Sequence, residues 1–117
     1  MKEKSDIPFK DHILESIYAI GEFSKGLTKE ELSSNRLKQS AIVREIEIIG
    51  EAVKNVSKEL KDKNKDIKWA DIVGTRDKMI HHYFGIDLSI VWNIICIDIP
   101  ILKEKIQGIL KEADSAK

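Results

Sequence analysis

The segment AIVREIEIIGEAVKNVSKEL, Ala41 to Leu60, decides the fold. At about 100° per residue, Ile42, Ile46, Ile49, Val53, Val56 and Leu60 fall within roughly 40° of one line. Ala41, Ile48 and Ala52 widen that stripe on one flank, enough for the helix to touch two neighbours at once. The charge-rich KELKDKNKD run, residues 58–66, closes the helix and predicts a solvated polar loop.

Upstream, a first helix is expected from near Pro8, a residue suited to a first turn, with Asp6 as a cap. Phe9, Ile13, Ile17 and Ile20, flanked by Leu14 and Tyr18, recur at the spacing of one buried face, and Gly26 closes the helix. Thr28 and Glu31 form a capping box for the next. Downstream, Trp69 to about His81 predicts a third helix, with Trp69, Ile72, Val73 and Ile80 as core contacts. Gly85 and Asp87 mark a turn and a fresh N-cap. Leu88, Val91, Trp92, Ile94, Ile95 and Ile99 lead to Pro100, where the missing N–H and the ring clash predict a kink or a short break. Ile101, Leu102, Ile106, Ile109 and Leu110 carry the last helix. Four or five helices on short loops predict an all-α antiparallel bundle, one domain over residues 1–117.

Composition agrees. The chain has 117 residues, of which 42% are hydrophobic and 34% charged, and only two prolines and six glycines interrupt it. A chain of this length supports one core and not two. Twenty basic and twenty acidic side chains cancel, so bulk charge steers it neither to nucleic acid nor to an anionic membrane, and any RNA contact must come from a local cluster. The lone Cys96, in the apolar run NIICIDI, reads as a buried small hydrophobe and has no partner for an internal disulfide. No stretch reaches the roughly 18 apolar residues of a membrane span, and no signal-like segment opens the chain, so a cytoplasmic location is expected.

The stretch GTRDKMIHHYFG, residues 74–85, concentrates the reactive side chains. Arg76 and Tyr83 lie seven apart and would share a stripe within roughly 20° on a continuing helix, whereas His81 would point roughly 140° away from Arg76. Arginine and histidine therefore meet at one phosphate only if the helix ends, bends or meets a second copy. The apolar supply around residues 88–102 exceeds what one core neighbour needs, which predicts a homodimer with this helix near its axis. Imidazole exchanges protons near neutral pH, and guanidinium binds phosphate through parallel donors and stabilises developing charge. Asp77 could orient either group. Together they suffice for metal-free RNA cleavage by the 2′-hydroxyl, a group that DNA lacks. Metal binding by His81, His82 and Asp77 is disfavoured, because adjacent helical histidines diverge by roughly 100° and no spacing resembles a zinc site.

The string RDKMIHHY fits Arg, four residues, His, any residue, Tyr, and on it the chain resembles the HepT-like toxins of the HEPN superfamily of helical ribonucleases. AIVREIEIIGEAVKNVS resembles the family's long second helix, IKWADIVGTRDKMIHHYFGID its motif helix, and VWNIICIDIPILKEKI its last segment. The resemblance spans about residues 8 to 112. It implies a dimerising helical bundle with Arg76 and His81 of both protomers forming a ribonuclease cleft, needing no cofactor. Asp77 fits the supporting polar position after the arginine. Tyr83 matches the tyrosine that a cognate minimal nucleotidyltransferase (MNT) antitoxin adenylylates, which would block the cleft and compete for Arg76. Glu51, in the family-like IIGEA segment, lies opposite the main apolar stripe and is left out of the catalytic set. The alternative is a non-catalytic helical dimer that serves as the binding and regulatory subunit of a nucleotidyltransferase.

Overall fold

A computed structural model describes the backbone of residues 2–81 and 85–115 and the side chains of residues 9–79 and 85–112. The expected all-α bundle is what forms. Helices α1 (Lys2–Ser24), α2 (Lys29–Ser34), α3 (Arg36–Lys54), α4 (Lys58–Lys63), α5 (Trp69–Val73) and α6 (Thr75–Met79) lead to a two-stranded ladder of β1 (Ile80–His81) and β2 (Gly85–Ile86). Helix α7 (Leu88–Asn93), a π-helical turn (Ile94–Asp98) and α8 (Ile99–Ser115) complete it. Helix α1 packs against both α3 and α8, and α3 carries α5 and α6.

The predicted stripe is the core. Ile42, Ile46, Ile49, Val53, Val56 and Leu60 are all buried, and they meet Ile13, Ile17 and Ile20 of α1 and Leu102, Ile106 and Ile109 of α8. Side-chain caps explain where the helices begin. Thr28 Oγ1 accepts from the Glu31 N–H at 3.1 Å, and Asn35 Oδ1 accepts from the Lys38 N–H at 3.0 Å. Gln39 Nε2 donates to the Leu32 and Ser33 carbonyls, tying the end of α2 to the start of α3.

Several local expectations change. Helix α1 starts at Lys2 rather than near Pro8, because the KEKSD segment ahead of the proline is helix-compatible. The long stripe is split at Asn55 and restarts at Ser57, whose hydroxyl accepts from the Leu60 N–H at 3.2 Å. The start of the charged run thereby becomes the short helix α4, while Val56 and Leu60 stay buried. The expected break at Pro100 is absorbed without interrupting the helix: Ile99 N–H donates five residues back to Ile94 O, and α8 continues through the proline. A π turn widens the ring by one residue where proline offers no donor to the carbonyl four back. It also resets the face. Burial runs 91, 94, 99, 102, 106, 109, so the spacing stretches to five across the turn. Cys96 and Ile97 fall in that gap, and Cys96 is exposed rather than buried. Ile97 and Ile101, 53% and 51% exposed, share this outward strip with Pro100. Val73, another expected core residue, lies at the exposed boundary. No helix among the described residues is long and apolar enough to cross a membrane.

Candidate active site

Arg76 lies on a short helix that stops before His81. Helix α5 ends at Gly74, whose N–H returns to Ala70 O at 3.0 Å, while Thr75 Oγ1 donates to Asp71 O at 2.9 Å. Helix α6 then runs for only five residues. Its anchor is Met79, fully buried. The single helix expected from Trp69 to about His81 is thus two short helices, and His81 stands on β1 instead.

The reason lies downstream. Ile80 pairs with Ile86 and His81 with Gly85 in an antiparallel ladder, and the Asp87 N–H donates to Met79 O at 2.6 Å. Gly85 adopts a positive φ of 78°, which side chains on Cβ disfavour. Asp87 Oδ1 accepts from the Ser89 and Ile90 N–H groups at 3.1 and 3.2 Å, starting α7 as its sequence predicts. Backbone pairing of this kind competes with helical propagation and ends α6. The roughly 140° separation of an ideal helix therefore does not govern Arg76 and His81.

Arg76 is on α6 with its side chain 64% exposed, and its Nε donates to Glu47 Oε2 on α3 at 2.9 Å. Asp77, the supporting carboxylate of the sequence reading, is exposed beside it. Of His81 the backbone alone is described, and His82 and Tyr83 lie outside the described residues. Glu47 was not singled out from the sequence. Its position beside the buried stripe (Ile46, Ile49) marks it as a boundary residue, yet its partner lies 29 residues away and no local pattern connects the two.

Beside α6, on the side of Thr75 and Lys78, runs a groove of about 620 Å³. Ile46, Ile49, Ile94 and Leu102 line it, with Asp71 and Lys105 among its polar residues. Arg76 does not line it, so the groove flanks the motif rather than containing it. Among the described residues no group of three or more His, Cys, Asp or Glu side chains could hold a metal ion.

The chain is thus an all-helical domain with an exposed arginine in the first turn of a short helix and a histidine five residues on. The pattern of the family described as ribonuclease HepT-like matches residues 13–109. The chain belongs to this HepT-like ribonuclease family. It is 36% identical over 109 residues, 93% of this chain and 99% of the relative, to a Thermococcus cleftensis protein named a probable ribonuclease HepT. It is 39% identical over 109 residues, 93% of this chain and 97% of the relative, to a Caldanaerobacter subterraneus protein whose name gives it provisionally as an RNase. A Methanocaldococcus jannaschii protein, named as a gamma-glutamylcyclotransferase and provisionally an RNase, is 42% identical over 109 residues. That match covers 93% of this chain but about half, 49%, of the relative. No solved structure is a significant match.

Proposed function

We propose that this protein is the toxin of a HepT/MNT toxin–antitoxin pair, a metal-independent endoribonuclease whose active site is completed by a second copy of the chain. The observation that carries the reading is the complete Arg-x4-His-x-Tyr string in a HepT-like ribonuclease family member. Arg76 clamps the scissile phosphate and stabilises the charge that develops on it. His81 of one protomer takes the proton of the 2′-hydroxyl as its oxygen attacks phosphorus, and an imidazolium, with two copies of His81 present, protonates the departing 5′-oxygen. The products are a 2′,3′-cyclic phosphate and a 5′-hydroxyl. Asp77 supports the imidazole, since Arg76 is already engaged by a carboxylate from α3.

The exposed strip of Cys96, Ile97, Pro100 and Ile101 supports homodimerisation, because an apolar patch of this kind is more often an interface than a free surface. Tyr83, two residues beyond His81, is the site at which a cognate MNT-type nucleotidyltransferase antitoxin adds AMP. The tyrosine oxygen bonds to the α-phosphorus of ATP and pyrophosphate leaves. Bulk and negative charge beside Arg76 then exclude RNA.

The test is RNA cleavage by the purified protein in EDTA, with Arg76→Ala and His81→Ala each abolishing both cleavage and growth inhibition. Cleavage that persists in folded, dimeric forms of both variants removes these residues from the mechanism. For the tyrosine, incubation with the transferase and ATP adds one or more AMP masses to the peptide containing Tyr83. An unchanged mass with a transferase active on another substrate rejects that part.

A further inference from the structure

We infer that Glu47 is a positioning residue for the reaction: through α3 it holds the Arg76 guanidinium by its Nε edge so that the outer edge faces the scissile phosphate. This rests on the proposed ribonuclease reading and adds to it a residue outside the motif.

The backbone of Glu47 is fixed by a helix that carries much of the core, since the nearby Ile46 and Ile49 are 4% and 2% exposed. Its carboxylate emerges at the edge of that core, 32% exposed, and meets Arg76 Nε at 2.9 Å. Arginine offers five donors in a rigid fork, and Nε is the one nearest the chain. A carboxylate on Nε fixes the plane of the guanidinium, and the Nη1–Nη2 edge still presents two parallel donors of the kind a phosphate takes. Asp77 cannot take this part as readily, because neighbouring helical residues do not face each other. An arginine on a five-residue helix whose side chain is 64% exposed otherwise samples many rotamers. A clamp that must be aimed loses rate when its aim is lost.

An ion pair this exposed contributes little to stability, which separates positioning from scaffolding. Glu47→Ala is expected to lower the single-turnover cleavage rate by about 10- to 100-fold. Substrate affinity should stay within about 2-fold, since the charge of Arg76 remains, and the unfolding midpoint within about 3 °C. Glu47→Gln, which keeps an oxygen acceptor at the same reach, should recover most of the rate. In an Arg76→Lys background, where the cation persists without an Nε, Glu47→Ala should change the rate less than 2-fold. A native rate in Glu47→Ala overturns the inference, as does an equal loss in the Arg76→Lys background or a failure of Glu47→Gln to restore activity in folded protein. Those results leave the ribonuclease reading standing. If instead Arg76→Ala itself cleaves RNA at the native rate, that reading falls and the role of Glu47 falls with it.

Discussion

Met79 joins the core to the site, so its truncation tests the architecture most directly. Its side chain is fully buried, three residues after Arg76 and two before His81, and its carbonyl accepts the 2.6 Å bond that closes the ladder. Met79→Ala removes the side chain beyond Cβ and leaves a cavity beneath α6. Transfer and cavity terms together should cost about 3 kcal/mol, within the roughly 2–5 kcal/mol range of such truncations. A domain of this size has roughly 5–15 kcal/mol in reserve, so the variant still folds at room temperature. Met79→Leu, close in volume, should cost less than about 1.5 kcal/mol. The assay is urea denaturation at one protomer concentration, because dimerisation would make the midpoint concentration-dependent. Cleavage measured alongside should fall in Met79→Ala by more than its unfolded fraction explains, because a loosened α6 misplaces Arg76. A loss below about 1 kcal/mol with unchanged denaturant slope would show that Met79 does not anchor α6.

Gly21 and Gly108 lie inside helices, and a Cβ built on either meets nothing within 4 Å. Each Gly→Ala change should therefore raise stability by about 0.5–1 kcal/mol in thermal or urea unfolding, and a loss would mean that the site is occupied in solution. Gly85→Ala, at φ +78°, should cost about 1–2 kcal/mol and depress cleavage through the ladder that holds His81; unchanged stability would mean that the turn relaxes without strain. If the proposed dimer forms through this strip, Ile101→Glu should give a monomer in sedimentation and abolish cleavage, and an intact dimer would place the interface elsewhere. Maleimide labelling of Cys96 should be slow in the dimer and fast in that monomer; equal rates would exclude the 96–101 strip from the contact.

Much of this protein is written in short-range patterns. Periodicity placed Ile42 through Leu60 in the core because burial of one helical face imposes that spacing whatever surrounds it. Thr28 and Asp87 were legible as caps because a cap bond closes within three residues. What stayed hidden depends on contacts between distant segments or on a change of helical register. The end of α6 cannot be read from RDKMIHHY, since helix and ladder compete there and the pairing to Gly85 and Ile86 prevails. The burial of Ile99 follows from one extra residue in the π turn before Pro100, whereas Cys96 points roughly 170° from the midpoint of Val91 and Ile94 even on an α-helical count. The pairing of Glu47 with Arg76 exists only because α3 and α6 pack together, bringing residues 29 apart in sequence to within 2.9 Å. Sequence alone thus determined the helical class, the main core stripe and the reactive residue types, whereas tertiary packing decided how the arginine is held and where α6 stops short of the histidine.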